Sequence, residues 1–197
     1  SLTHGSAMEP LIELNDVSTD RMEYIATGIK EFDRVMGGGF VVGSTTLLAG
    51  DPGIGKSTLL LQAVAAIAKA GQKVLYATGE EGLEQIHLRA SRLGISGDRI
   101  FVVATGNVVE IAAHMVQAEP VVVIVDSIQT ATHPDLDSSS GTISQIRECA
   151  SFLSSHARAN HVSLVVSGHV TKDGSIAGPR VLEHQVDTVL QIRGDTS

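Results

Sequence analysis

The run Gly50-Asp51-Pro52-Gly53-Ile54-Gly55-Lys56-Ser57 constrains this 197-residue chain more than any other feature. It follows Thr45–Ala49, which reads as a buried strand. It opens Lys56–Ala70, where Leu60, Ala63, Val64 and Ile67 recur at the spacing of one helix face and Gly71 supplies the stop. A strand that passes through a glycine-rich turn straight into a helix begins a βαβ unit, with a right-handed crossover and a parallel next strand. The alternation continues. Strands are expected at Lys73–Thr78, Ile100–Ala104, Val121–Val125, Val162–Ser167 and Thr188–Ile192. Helices are expected at about Glu81–Leu93, at Val108–Ala118, and from Thr142 onward, where Thr142 and Gln145 have capping-box spacing. With 43% hydrophobic residues and only 3% aromatics, the palette is aliphatic, as in strands covered on both sides. The expected fold class is α/β, a mainly parallel central β-sheet flanked by helices on both faces, without internal repeats.

The same eight residues match G-x-x-x-x-G-K-[ST] without a mismatch. Glycines let backbone N–H groups converge on phosphate oxygens, and the helix N-terminus presents its positive end to the anion. Gly50, Asp51, Pro52, Gly53, Ile54, Gly55, Lys56, Ser57 and the adjoining Thr58 are therefore expected to cradle a nucleotide. Lys56 would bridge β- and γ-phosphate oxygens, and the Ser57 hydroxyl would ligate Mg²⁺. Asp126, ending the aliphatic run Val121–Val125, stands where a carboxylate near the metal is needed, the plainer alternatives being a helix cap or a solvated loop residue. Glu80 and Glu81 follow the strand Lys73–Thr78. One of them, Glu80 first and Glu81 in reserve, is expected to act as general base, and at least one to serve as a first-turn helix acid. His169, beyond Val162–Ser167, would sense the γ-phosphate and pass its state to the loop Val170–Pro179; a residue that satisfies a strand end is the plainer reading. Arg89 and Arg92 could stack on a base or simply occupy an exposed helix face.

A net charge of −8 excludes a broadly basic nucleic-acid surface, so any such contact must be local or created by assembly. The single Cys149 allows neither an intrachain disulfide nor a cysteine zinc site, and its place on an apolar helix face reads as a packed thiol. No apolar run reaches the ~20 residues that span a bilayer, and no signal peptide is recognisable, so a cytoplasmic location without membrane contact is expected. Ser1–Ala7 read as a cloning remnant, residues 8–44 as a lead-in with a Gly37-Gly38-Gly39 cluster, and residues 45–197 as the domain proper. The stretch His133–Gly141, rich in Ser and Asp, reads as a mobile loop.

The chain resembles the bacterial RadA (Sms) family of RecA-like DNA repair and recombination ATPases, relatives of the replicative DnaB-type helicases. The resemblance rests on Thr27–Gly39, on Gly50–Ser57, on Gly79-Glu80-Glu81, on Asp126-Ser127-Ile128-Gln129-Thr130, and on Gly168–His184, the last being the most family-specific. It implies a RecA-like core that binds ATP or ADP with Mg²⁺, and an ATPase that forms homo-hexamers. It also implies that single-stranded DNA is bound in the channel, that recombination branches are processed, and that a recombinase is a partner. By the same resemblance His133–Gly141 and Val170–Pro179 would face DNA, with Lys172 and Arg180 as phosphate contacts.

The family's four-cysteine zinc module is missing from Met8–Asp20. Its Lys-Asn-Arg-Phe-Gly motif and Lon-protease-like domain would come after Ser197. A core of this extent is expected to bind nucleotide, hydrolyse it slowly and assemble poorly. Two other readings stay open: a signalling or clock ATPase of the KaiC kind acting on protein partners, and a nucleotide-binding module without turnover.

Overall fold

The structure, a computed structural model, describes residues 8–18, 24–51, 53, 55–170 and 178–192. Expectations for Ser1–Ala7, Pro52, Ile54 and Lys172, and for most of the loop that carries Lys172, lie outside those residues. The lead-in forms a small antiparallel pair, β1 (Tyr24–Ile25) with β2 (Phe40–Val41), around the short helix α1 (Lys30–Val35). Asp33 closes it. One carboxylate oxygen accepts from Thr27 N (2.9 Å) and Thr27 Oγ1 (2.7 Å), the other from Gly28 N (2.9 Å). Phe32 and Phe40, with ring centroids 5.4 Å apart, seal this unit onto the body. Asp33→Ala removes three bonds to one charged group. It should destabilise the chain by about 2–3 kcal/mol in urea unfolding, since hydrogen bonds to charged groups contribute about 1.5–3 kcal/mol and do not simply add. A loss under about 0.5 kcal/mol, the scale of ordinary surface substitutions, would show the cap to be incidental.

The body is the expected alternation: β3 (Thr45–Gly50), α2 (Lys56–Lys69), β4 (Val74–Thr78), α3 (Leu83–Arg92), β5 (Ile100–Ala104), α4 (Val108–Ala118), β6 (Val122–Asp126), α5 (Ile143–Ala159), β7 (Ser163–His169) and β8 (Thr188–Ile192). All six strands of the main sheet are parallel, in the order β5-β4-β6-β7-β3-β8. Strand periodicity divides the core. Val123 and Val125 pack with α4 and α5 on one face, while Val122 and Ile124 pack with α1, α2 and α3 on the other. Every residue of β3, β4 and β6 is buried, and each large aliphatic side chain so buried contributes about 1.5–3 kcal/mol. Phe101 and Val102 stay half exposed because β5 is an edge strand. Among the described residues no helix is long and apolar enough to cross a membrane.

The helix starts depart from expectation in two places. First, α3 begins at Leu83 behind Gly82, so neither Glu80 nor Glu81 is a first-turn helix acid; Glu84 holds that position. Second, Thr142 Oγ1 does accept from Gln145 N (3.4 Å), but the Gln145 side chain does not complete a capping box. That side chain is buried and turns into the loop expected to be mobile. Its Oε1 accepts from His133 N (3.0 Å), and its Nε2 donates to Ser138 O (2.7 Å) and Leu136 O (3.4 Å). An amide offers both donor and acceptor, and it straps a loop that has no neighbouring strand to bond with.

Candidate active site

Because the strands are parallel, their C-terminal ends share one edge. There Gly50 lies in register with His169, and Thr78 with Asp126. The α2 N-terminus opens onto this edge. Gly53 (φ +80°) and Gly55 (φ +96°) take left-handed backbone conformations that a side chain would strain, and no side chain caps the first turn of α2. By contrast α4 is capped by Asn107, whose side chain accepts from Val109 N and Glu110 N. A helix start without a side-chain cap can receive an anion on its first-turn N–H groups. A cavity of about 300 Å³ lies over it. Gly53, Gly55, Lys56, Ser57 and Thr58 line one side, and Glu80, Glu81, Arg89 and His169 the other.

Lys56 is only 4% exposed, and its ammonium donates to Gly50 O (2.8 Å) and Asp51 O (3.0 Å). Burial lowers its pKa, while Asp126, Glu80 and Asp51 pull the other way. Asp126, at 1% exposure, is surrounded by hydroxyls. Oδ2 accepts from Ser57 Oγ and from Tyr76 OH (both 2.8 Å), and Oδ1 accepts from Ser167 Oγ (2.7 Å). Burial and the adjacent carboxylate raise the Tyr76 pKa, so this phenol remains a donor. A hydroxyl and a carboxylate oxygen side by side at the phosphate loop suit Mg²⁺, which takes one or two protein oxygens and completes its shell from phosphate and water. Among the described residues no cluster of three or more His, Cys, Asp or Glu could hold a metal by itself. The alternative reading of Asp126 as a helix cap does not hold, since its side chain bonds three hydroxyls from other elements.

The two adjacent glutamates part company. Glu80 Oε1 accepts from Ser127 Oγ (2.5 Å) and meets His169 Nε2 (2.6 Å), whereas no described residue bonds Oε2. Glu81 is clamped by both terminal nitrogens of Arg89 (2.8 and 2.7 Å), and this bond holds the guanidinium above its usual pKa. Arg89, read as a base-stacking or exposed residue, is therefore the partner of Glu81 at the cavity wall, while Arg92 does not line the cavity. His169 ends β7 instead of following it. Arg180 is exposed on a 3₁₀ turn, Pro179–Leu182, that packs against α5. Cys149 is fully buried, and its thiol is pushed up to about 12 by burial, as a packed thiol should be.

Tyr76 and Ser167 of this network lay outside every motif, and Ser127 entered only as part of Asp126–Thr130, without a role of its own. Tyr76 and Ser167 left one legible trace, as polar groups inside otherwise aliphatic strands, where a buried hydroxyl needs a partner.

The description "AAA domain" matches residues 8–175 of the chain. Among curated proteins, the DNA repair protein RadA of Listeria monocytogenes is 45% identical over 195 residues, covering 99% of this chain and 43% of that protein. RadA of Escherichia coli is 44% identical over 183 residues (93% and 40%), and RadA of Mycobacterium tuberculosis 46% over 186 residues (93% and 39%). The chain thus spans about two fifths of the length of these relatives. With a RecA-like parallel sheet behind the phosphate loop and Asp126, the chain belongs to the AAA-domain family of P-loop proteins and resembles, within it, the core of bacterial DNA repair protein RadA.

Proposed function

We propose that this domain binds and hydrolyses ATP and uses the cycle to act on single-stranded DNA in repair and recombination. One observation carries the hydrolytic reading. Lys56, Ser57, Glu80 and His169 line one cavity on one sheet edge, with Asp126 hydrogen-bonded to Ser57 behind it. In this reading Lys56 would leave its two carbonyls for phosphate oxygens, and Ser57 and Asp126 would hold Mg²⁺, which when bound would neutralise phosphate charge. Glu80 turns its unbonded Oε2 to the attacking water and takes its proton, while Ser127 and His169 fix the opposite oxygen. Glu81 serves by holding Arg89 at the wall.

The DNA part rests on the likeness to RadA and on Val170, which follows the end of β7 at the cavity's sheet edge and leads toward Lys172 in sequence. Homo-hexamers would repeat each contact around a ring, which lets a chain of net charge −8 hold a polyanion through few cations per subunit. The test is turnover with and without single-stranded DNA. Stimulation is expected, and Lys172→Ala and Arg180→Ala should each weaken binding uniformly across sequences and reduce the salt slope by about one. Turnover indifferent to DNA would favour action on protein partners.

A further inference from the structure

The turn after Asp126 reaches both Glu80, through Ser127, and His169, through Gln129, yet Gln129 has no role so far. β6 and β7 pair from Val122↔Ser163 to Val125↔Val166, and there the pairing ends. β7 runs on to His169, still paired with β3 on its other side through Gly50↔His169. Beyond Val166, then, β7 has lost its neighbour on the β6 side. The Gln129 side chain takes that place. Its Nε2 donates to His169 O (2.9 Å), and its Oε1 accepts from His169 N (3.3 Å), so one amide does for His169 what a strand's peptide group would do. Gln129 is 8% exposed and sits on the 3₁₀ turn Ile128–Thr130.

The His169 ring has little else to hold it. Its Nε2 meets Glu80 Oε1, while the buried Nδ1 has no hydrogen-bond partner among the described residues. Where the ring stands therefore depends on where its backbone stands. The turn that carries Gln129 is itself locked: Ser127 and Thr130 cap each other, Thr130 Oγ1 donating to Ser127 O (2.9 Å). It also abuts the carrier of the glutamate. A Cβ on Gly79 would lie 2.9 Å from Thr130 Cβ and fall on the Thr130 hydroxyl, so the close approach requires glycine. One rigid turn thus fixes Glu80 through Ser127 and His169 through Gln129.

We propose that Gln129 is a positioning residue, whose side-chain amide substitutes for a missing strand and sets His169 against Glu80. This rests on hydrolysis at Glu80 as proposed above. The test uses Gln129→Met, which keeps the length and bulk but removes both bonds. In single-turnover assays with the whole chain, hydrolysis should fall by about tenfold or more, as small misplacements at a reacting centre do. ADP affinity should stay within about twofold, and in nucleotide-free protein the NMR signal of the His169 ring N–H should be lost or shifted. Because Gln129 acts through His169, Gln129→Met added to His169→Ala should slow hydrolysis no further.

An unchanged ring signal and an unchanged rate would overturn the proposal. So would a Gln129→Met chain that unfolds or loses ADP, because that is the mark of a residue holding the core. A wild-type chain without turnover refutes the hydrolytic reading alone, and the ring signal still decides whether Gln129 holds His169.

Discussion

Glu80→Gln should lower single-turnover hydrolysis by about 10²–10⁴-fold, the range that a positioned general base supplies, with ADP affinity within about twofold of the parent. The substitution is well matched to the geometry. Both bonds to this side chain, from Ser127 and from His169, fall on Oε1. A glutamine can keep its carbonyl oxygen there and place its NH₂ where Oε2 stood, so shape and anchoring survive while the basic oxygen is gone. Glu81→Gln is the control. It leaves one of the two bonds with Arg89 and removes the charge that the guanidinium pairs with, so it should disturb the cavity wall and leave the chemical step largely intact. If Glu81→Gln abolishes turnover and Glu80→Gln does not, the two assignments are reversed.

That distinction shows where sequence reasoning reached its limit. Two adjacent carboxylates between a strand and a helix expected from about Glu81 look alike, so Glu80 could be ranked ahead of Glu81 but their partners could not be told apart. In the structure α3 starts only at Leu83, and the two side chains turn apart, one toward β7 and one toward Arg89 six residues into the helix. The strands themselves were legible because burial on both faces forces unbroken aliphatic runs, and β8 and α4 fall where periodicity put them. Strand order was not legible. Periodicity says which face a residue takes but not which strand lies beside it, and it is the placement of β7 between β3 and β6 that brings His169 and Ser167 to the glutamate and Asp126. The polar straps were hidden for the same reason. Gln129 and Gln145 each satisfy backbone from a different element, a contact that local sequence does not encode.

Lys56→Met should weaken ADP and ATP binding by about 100-fold or more, because a charge-assisted hydrogen bond contributes about 1.5–3 kcal/mol and in the proposed site the ammonium would make more than one to the phosphates. The fold should not suffer. The ammonium donates to Gly50 O and Asp51 O, but Gly50 O also accepts from Val170 N (3.2 Å), so the carbonyl buried at the end of β3 keeps a partner. Methionine retains the apolar stem. The direction of the Lys56 pKa predicts the sign of the stability change. Burial lowers the folded-state pKa below its unfolded value, so the unfolded chain holds this proton more readily. The group's contribution to stability is then greatest above the unfolded pKa and is lost as pH falls through the folded one. At neutral pH the protonated, desolvated lysine works against folding, and removing its charge relieves that cost. The nucleotide-free thermal midpoint of Lys56→Met should therefore match or exceed the parent, while the rise in midpoint caused by added ADP should largely vanish. A midpoint lowered by more than about 5 °C, more than 1 kcal/mol for a domain of this size, would mean that the ammonium anchors the loop itself rather than standing ready for phosphate.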